Sequence, residues 1–220
     1  MLRLRTPDPL RFKIKNESVV LRCGAPEYAS EWIAVREQSK QHLTRWEPDW
    51  HSTDITVAAV KRRIKEQRKA IKAGLILPLF VFEQVRDEPL SLGSSGRQPS
   101  NLGTPLKPME RLVGGVTLSG IKRHASHSAQ IGYWVGKDFL RRGIGHAAVA
   151  AVVAHGLGIM GLNRIEAACQ PENIASRRLL DRVGFRKEGL ARDYLHINGA
   201  WRDHCLYAMT AFDLNNRAQH

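Results

Sequence analysis

The sequence predicts a mixed α+β (α/β) fold in which one central sheet is flanked by helices, and three observations support this class. Residues 130–150 pass from an apolar, β-rich run through Gly143 and Gly145 into an unbroken Ala/Val series, the pattern of strand, tight turn and helix. Strand-like and helix-like segments follow one another in the order strand, helix, helix, three strands, helix, strand, helix, two strands. The last two strands are joined by Asn198-Gly199, which favours a two-residue hairpin because a type I′ turn requires positive φ at both central residues.

Each element has its own signal in the chain. The first helix starts near Pro26, a residue favoured in a first turn. The second is capped by Thr53 or Asp54 and ended by Gly74. The expected strands are 18–23, 75–85, 112–121, 131–135, 163–169, one from 185, and the hairpin pair 190–197 and 200–210; the expected helices start near residue 26, cover 55–73 and 143–160, and end at Gly184.

Length and composition indicate one domain with added segments. A chain of 220 residues is long enough for one full core. We expect residues 1–16 to form a basic arm, 17–213 the single domain and 214–220 a tail. Residues 86–107 are rich in Ser, Gly and Pro, so we expect a mobile insertion in a hairpin, because they bury too little apolar surface to offset their ordering entropy.

Composition also excludes several classes of protein. No apolar run approaches the roughly 18–20 residues of a membrane helix, and the basic start lacks the apolar core of a signal peptide, so we expect a cytoplasmic protein. Cys23, Cys169 and Cys205 lie far apart in strand-like contexts, which predicts buried free thiols. The nine histidines show no ligand spacing, so we expect no metal.

Positive charge is the unusual property of the sequence. The formal net charge is +13, which attracts nucleic acid, ribosomes or other polyanions. Much of it falls on the helix at 55–73, whose charged face is either ordinarily solvated or a contact surface for RNA phosphates. The cations there are Lys61, Arg62, Arg63, Lys65, Arg68, Lys69 and Lys72, against the single acid Glu66.

The glycine turn after the strand at 131–135 has the features of an anion site. Glycines let backbone approach a ligand closely, and the first N–H groups of the following helix point at the same place. Lys137, Arg141 and Arg142 add positive charge beside it. Phosphate is the expected ligand, although a strand–Gly–helix junction is also a common packing solution.

Five segments carry a resemblance to a known family. They are Ile-Gly-Tyr-Trp-Val at 131–135, Pro-Glu-Asn-Ile-Ala-Ser at 171–176, the Gly-Phe segment at 184–189, residues 193–204, and Leu-x-x-Trp-Glu-Pro at 43–48. Together with the element order they resemble the GNAT N-acetyltransferase superfamily. Within it they are similar to the ribosomal-protein-alanine acetyltransferases of the RimJ/RimL type, and to the RimJ branch above all. The resemblance covers nearly the whole chain apart from the basic arm and the insertion.

The resemblance implies a mainly antiparallel sheet whose fourth and fifth strands splay apart, with acetyl-CoA as co-substrate in the gap. A backbone N–H near Trp134 and Val135 would face the thioester carbonyl and stabilise the developing oxyanion. Asn173 would hydrogen-bond the pantetheine arm or the adjacent loop, and Ser176 would be the catalytic donor to the leaving thiolate. The pyrophosphate would lie on the turn made by Arg141, Arg142, Gly143, Ile144, Gly145 and His146.

Two positions depart from the family pattern. Leu140 stands where the pattern begins with Gln or Arg, so Arg141 would substitute only in part and the loop would act mainly through its backbone. Leu180 stands where many relatives have a Tyr, which removes the usual acid and is the reason for considering Ser176. The alternative for Ser176 is an ordinary hydroxyl at the start of a helix.

No carboxylate identifies itself as a general base. An α-amino group has a pKa of about 7.7–8.0, so a weak base or a water chain is enough. Each acid or aromatic candidate has both a functional and a structural interpretation. Glu166, Asp193 and Asp203 are candidates for the base or for structural ion pairs, and Trp46, Tyr194 and Trp201 for the acceptor wall or for core packing.

We therefore predict a GNAT enzyme that transfers acetyl from acetyl-CoA to the N-terminal α-amine of a protein by direct attack in a ternary complex. The expected acceptor is a ribosomal protein with an alanine-type N-terminus, and the basic helix and arm would contact ribosomal RNA. One alternative is a small-molecule amine acetyltransferase, since the co-substrate motifs say nothing about the acceptor. The other is an RNA-binding or ribosome-assembly factor with weak or no turnover.

Overall fold

The computed structural model describes residues 13–15, 19–85 and 109–217. Within these residues the chain forms eight strands in a single sheet, so the predicted fold class is confirmed. The strands are β1 (Lys13–Lys15), β2 (Val19–Cys23), β3 (Leu77–Val85), β4 (Met109–Lys122), β5 (Ser128–Val135), β6 (Arg164–Cys169), β7 (Arg186–Ile197) and β8 (Ala200–Thr210).

The strand order in the sheet is β1-β2-β3-β4-β5-β6-β8-β7. Every neighbouring pair of described strands is antiparallel except β5 and β6, which are parallel. The parallel pair places the long connection between these strands on one face of the sheet. That connection carries the glycine turn and one of the helices.

Helices cover both faces of the sheet. Trp32 packs edge-on against Trp134, whereas the neighbouring Val135 faces Gly145 and Leu179, so adjacent residues of β5 point to different helical layers. The first layer contains the first and third helices, and the second contains the fourth and fifth. The helices are α1 (Ala29–Gln38), α2 (Lys40–Leu43), α3 (Val57–Lys72), α4 (Ile144–Ala154), α5 (Ile174–Val183) and α6 (Ala211–Arg217).

The turn predictions are confirmed at the backbone. Asn198 and Gly199 have φ of 47° and 78°, as the type I′ hairpin requires. Gly74 and Gly184 have φ of 70° and 107° and follow the ends of α3 and α5. Both take the left-handed conformation that a glycine adopts without a steric penalty.

Several boundaries differ from the sequence-based expectation. The cap of α3 is Thr56, whose Oγ1 accepts a hydrogen bond from Ala59 N at 3.1 Å, and not Thr53 or Asp54, which lie in a 3-10 turn before it. Lys13–Lys15, expected in the basic arm, pairs with β2. The rest of that arm and the insertion predicted at 86–107 lie outside the described residues.

No helix among the described residues is long and apolar enough to cross a membrane. The same residues contain no cluster of three or more His, Cys, Asp or Glu side chains that could hold a metal ion. Cys23, Cys169 and Cys205 are buried free thiols, as expected.

The wedge between β5 and β6 is the feature of the sheet that positions the site. The two strands pair only from Ser128↔Arg164 to Gln130↔Glu166. Beyond this point β5 remains on β4 as far as Val135, and β6 remains on β8 as far as Cys169. The carboxyl halves of the two strands therefore have no ladder between them, which agrees with the predicted splay.

Helix α6 occupies residues that were expected to form part of the tail. Thr210 and Asp213 form a reciprocal capping box: Asp213 Oδ2 accepts from Thr210 N at 3.1 Å and from Thr210 Oγ1 at 2.6 Å, while Thr210 Oγ1 accepts from Asp213 N at 3.2 Å. Arg186 Nη2 lies 2.8 Å from Asp213 Oδ1 and ties the helix to β7. These contacts to Thr210, followed by the charge of Arg186, hold the pKa of Asp213 below its ordinary value.

Replacing Asp213 with Ala should lower the free energy of unfolding by about 1 kcal/mol near neutral pH, the usual loss for a cap. Because the folded-state pKa is depressed, the contribution is present above the unfolded pKa and disappears as pH falls through the folded value. Urea unfolding of wild type and Asp213→Ala at pH 7 and near pH 3 measures this. Asn216→Ala, an exposed change in the same helix, is the control, and an equal loss for both variants would contradict the capping box.

Candidate active site

A cleft of about 650 Å³ opens in the wedge where β5 and β6 separate. Two sets of side chains line it, one on each face of the sheet. The first set, which we call the α5 wall, is Tyr133, Cys169, Asn173, Ser176 and Leu179; the second, the α2 wall, is His42, Leu43, Trp46, Glu47, Gln170 and His204.

Backbone N–H groups of β5 point into the wedge. Gly136 N donates to Val113 O of β4 at 2.9 Å, which determines which N–H groups of β5 point toward β4 and which point away from it. In a regular antiparallel ladder the N–H groups of Tyr133 and Val135 then point away from β4, toward the side where β6 has left. They are donors to whatever occupies the cleft.

The glycine turn ends beside the same opening. Arg141 and Gly143 have φ of 59° and 75°, and Gly143 caps α4 without a side-chain hydrogen bond, so the first N–H groups of the helix remain available to an anion. A Cβ on Gly145 would lie 3.0 Å from Leu179 Cδ1 and 3.4 Å from Val135 Cγ2. Gly145 thus lets α4 approach the cleft wall closely.

Tyr133 and Ser176 are the polar centre of the α5 wall. Their side-chain oxygens are 2.7 Å apart. Asn173 Oδ1 accepts from Ser176 N at 3.1 Å and caps α5, which fixes the position of the serine. Burial raises the pKa of Tyr133 well above its ordinary range, so the phenol stays protonated and can donate to Ser176 Oγ. The serine hydroxyl hydrogen then points away from Tyr133, on the side where Cys169 and the cleft lie.

Cys169 completes this wall. Burial raises the pKa of its thiol to about 11, against an opposing effect of the hydrogen bond with Ser176. The thiol is therefore uncharged at neutral pH, as are the tyrosine and the serine. An apolar or neutral ligand segment fits against this side of the cleft.

The α2 wall is held in place by Arg36. Its guanidinium lies 4.1 Å from the ring centroid of Trp50 and 4.9 Å from that of Trp134, and it also packs on Trp32. Two of its nitrogens pair with the two oxygens of Glu47, at 3.2 and 2.5 Å. This arrangement fixes the loop between α2 and α3 against the sheet.

Three histidines lie along the cleft. His42 comes from α2, His196 from β7 and His204 from β8. Burial lowers the pKa of His42, and the nearby Arg45 lowers it further against the opposing effect of Glu47. His42 is therefore neutral at physiological pH.

A family model described as an acetyltransferase (GNAT) domain matches residues 19–186, most of the chain and both walls of the cleft up to β7. The chain belongs to the GNAT acetyltransferase family.

This GNAT chain is 36% identical over 104 residues to the ribosomal protein uS5-alanine N-acetyltransferase of Escherichia coli (strain K12), a match covering 47% of this chain and 54% of that protein. It is 43% identical over 100 residues to the probable N-acetyltransferase YjcK of Bacillus subtilis (strain 168), covering 46% and 55% respectively. The chain thus spans about half the length of the curated relatives it matches.

Solved GNAT structures extend the comparison to nearly the whole chain. Mycobacterium smegmatis RimJ in complex with CoA-disulfide superposes with a TM-score of 0.73 at 30% identity, covering 91% of this chain and 89% of that one. The ribosomal-protein-S5-alanine acetyltransferase from Vibrio fischeri superposes with a TM-score of 0.76 at 26% identity, covering 92% and 98%. The predicted resemblance to the RimJ/RimL type is confirmed.

In this GNAT domain the predicted site residues fall into two groups. Those that line the cleft are Trp46, Trp134, Val135, Arg141, Asn173 and Ser176. Gly143, Ile144, Gly145 and His146 form the turn and the first turn of α4 beside it, without being part of its lining. Tyr194 and Trp201 lie outside the lining, packed against His204 and His196 respectively.

Arg142 is turned away from the cleft. Its Nη2 lies 2.5 Å from Glu83 Oε1 and its guanidinium packs on the ring of Phe139. Of the two predicted turn arginines, only Arg141 borders the cleft. Leu140 also lines it, which places an apolar side chain where the family pattern has a polar one.

Two of the three candidate carboxylate bases, Glu166 and Asp203, have other partners. Glu166 Oε1 accepts from Arg164 Nε at 2.8 Å. Asp203 Oδ1 accepts from Asp193 N at 2.9 Å, across a register shift between β7 and β8. None of these acids lines the cleft. Leu180, which replaces the usual tyrosine, is fully buried in the core.

Sequence reasoning missed Tyr133, Cys169, His42 and His204 as site residues. In the sequence Tyr133 is one residue of the Ile-Gly-Tyr-Trp-Val segment with no signal of its own, although strand alternation puts it on the face opposite Trp134. The facing pair Cys169↔Cys205 and the burial of His204 depend on strand pairing that the sequence does not reveal. His42 has no local signal that distinguishes it from a surface histidine.

Replacing Gly115 with Ala should destabilise the fold and displace Trp134. A Cβ at Gly115 would lie 2.6 Å from Trp134 Nε1, so the indole must move, and we expect a loss of about 1–3 kcal/mol, as for other overpacked sites. Gly132→Ala is the matched control, because its Cβ has no heavy atom within 4 Å. Urea unfolding with tryptophan fluorescence measures both variants. Equal stability of the two would show that the Trp134 ring is not held against β4.

Proposed function

We propose that this GNAT enzyme transfers acetyl from acetyl-CoA to the N-terminal α-amine of a protein, with a ribosomal protein as acceptor. The observation that carries the proposal is the two-walled cleft at the β5–β6 wedge, with uncharged donors on one wall and histidines on the other. The E. coli relative is named for ribosomal protein uS5-alanine acetylation, and the M. smegmatis neighbour contains a CoA-disulfide. A ribosomal acceptor places the reaction in the cytoplasm.

The α5 wall suits the acetyl-CoA side of this reaction. The available N–H groups at the start of α4, with Arg141 beside them, would hold the pyrophosphate. The Val135 N–H would polarise the thioester carbonyl. Ser176, with its oxygen accepting from Tyr133, would donate a hydrogen bond to the sulfur as the thiolate leaves. Acetyl-CoA itself supplies the activated acyl group.

The α2 wall suits an acceptor with a single amine. Among the described residues that line the cleft, Glu47 is the one acid, and Arg36 already neutralises it. A polyamine or aminoglycoside needs several carboxylates to bind its cations. A peptide N-terminus needs none beyond a group that takes up its proton, so the lining favours a peptide over a polycationic small molecule.

Calorimetric titration with acetyl-CoA, run beside an assay of thiol release, tests the proposal. The acceptor panel contains peptides beginning with Ala, Ser or Met, acetyl-blocked Ala peptide, and spermidine. We expect acetyl-CoA binding and turnover on free α-amines, with Ala favoured and no release above hydrolysis for the blocked peptide. Turnover with spermidine alone would show that the acceptor is a small amine and not a peptide. Acetyl-CoA binding without turnover on any amine would favour a ribosome-binding factor.

Helix α3 provides the surface that would meet ribosomal RNA. Val60, Ile64 and Ile71 face the core, so the opposite side is exposed. We define the basic face as Lys61, Arg62, Lys65, Arg68, Lys69 and Lys72, all exposed, with Glu66 beside Arg62 as the one acid.

Arg63 does not belong to this face. Its guanidinium packs 4.5 Å from the Trp32 ring centroid. Burial, followed by the charge of Arg36, lowers its pKa. The residue therefore supports the aromatic packing behind the cleft, and changing it would disturb the fold as well as the charge.

Lys65→Glu with Lys69→Glu should weaken binding to ribosomes without altering acetylation of a short peptide. Loss of two phosphate contacts reduces the slope of log affinity against log salt by about 1.5–2. Lys122→Glu with Lys187→Glu changes net charge equally at exposed positions elsewhere and is the control. Sedimentation with ribosomes at several salt concentrations measures the slope. If both pairs change ribosome binding equally, the effect comes from net charge and not from α3. If neither pair changes it, RNA contact through α3 is refuted.

A further inference from the structure

His204 is a buried histidine that borders the cleft, with 3% of its surface exposed. Its direction follows from the alternation of side chains along β8. Cys205 lies opposite Cys169 of the α5 wall, and Tyr207 hydrogen-bonds Arg177 of α5, so both face that wall. His204, next to Cys205 in the strand, points to the other face of the sheet, where the α2 wall lies.

One hydrogen bond fixes the proton on the His204 ring. Nδ1 lies 2.9 Å from Arg202 O, and because a carbonyl oxygen can only accept, Nδ1 carries the hydrogen. In the neutral ring Nε2 then keeps a free lone pair. The Tyr194 ring, with its centroid 5.6 Å away, packs against the imidazole and restricts its rotation.

Nε2 is open to the cleft. No described residue hydrogen-bonds this atom, and it keeps some accessible surface although the residue as a whole is almost fully buried. A buried imidazole with one nitrogen tied to the backbone and the other facing a cavity is poised to accept a hydrogen bond or a proton from a molecule in that cavity.

Few other groups on the α2 wall can take up a proton. Glu47 is held by Arg36 and also accepts from Trp50 Nε1 at 2.9 Å. His42 is a weaker base than an ordinary histidine, because burial and Arg45 lower its pKa. His196 lies on the exposed hairpin against Trp201. His204 is the histidine whose tautomer and orientation are both fixed.

We infer that His204 is the general base of the acetyl transfer, acting through Nε2 on the amine of the acceptor; the inference rests on the proposed function. The neutral amine nitrogen bonds to the thioester carbonyl carbon, and the proton it then sheds goes to His204 Nε2. The carbon–sulfur bond breaks with its electron pair on sulfur, where the Ser176 hydroxyl donates a hydrogen bond. The thiolate takes a proton from solvent on release, and His204 returns its proton to solvent.

His204→Asn is the decisive variant. The asparagine amide can take the place of Nδ1 and donate to Arg202 O, so a purely structural role is preserved while the basic nitrogen is lost. We expect kcat for the Ala peptide to fall about 10²–10⁴-fold, the usual share of general acid–base catalysis. The melting temperature and the acetyl-CoA Kd should stay close to wild type. His204→Gln, which puts a neutral acceptor near the position of Nε2, should show the same loss.

His42→Asn and His124→Asn are assayed in parallel, the latter being an exposed change in the turn between β4 and β5. Wild-type kcat in His204→Asn, or a loss confined to His42→Asn, would overturn the assignment. If His204→Asn unfolds, kcat of wild type is compared with that of His204→Gln, whose fold and acetyl-CoA binding should be normal. If the wild-type protein acetylates none of the amines, the proposed function fails, and the role of His204 fails with it. If the wild type is active and His204→Asn is equally active, only the assignment of His204 fails.

Discussion

The short parallel pairing of β5 and β6 is the constraint on which the rest of the structure depends. It ends at Gln130↔Glu166, so the N–H groups of Tyr133 and Val135 lose a strand partner. An unpaired backbone donor is costly when buried away from water, which means that the wedge must stay open to solvent or hold a ligand. The cleft, its two walls and the approach of α4 all follow from this break in the ladder.

The two walls are built by different means. The α5 wall is a helix start, where Asn173 caps the backbone and sets Ser176 within reach of Tyr133. The α2 wall is a loop, and it is held by the stacking of Arg36 among tryptophans and by its pairing with Glu47. A planar cation that stacks and pairs at once can immobilise a loop that has no ladder of its own.

The chemistry divides along the same line. Burial keeps Tyr133 and Cys169 protonated, so the α5 wall offers neutral donors to a developing negative charge. The opposite wall offers the imidazole nitrogens of His42 and His204, which can accept hydrogen bonds. Separation of donors from acceptors across one cleft suits the proposed acyl transfer to an amine, because charge of opposite sign develops on the two partners.

Much of the fold could be predicted from the sequence because its signals are local. The positive φ of Asn198-Gly199, the glycines after α3 and α5, and the turn at Gly143 are set by residues within a few positions. The capping box at Thr210 and Asp213 is equally local, yet the predicted end of the domain at residue 213 falls inside α6. Asn173 and Ser176 were found because they share one helix start with the family motif.

The sequence by itself thus determined the fold class, the glycine turn and one wall of the cleft. The tertiary structure decided the rest, since these choices depend on partners far apart in the chain. Tyr133 meets Ser176 across 43 residues, Arg142 turns to Glu83, and Arg63 leaves the basic face for Trp32. His204 faces the cleft only because β8 pairs with β6, and strand pairing is a long-range packing outcome that no local pattern encodes.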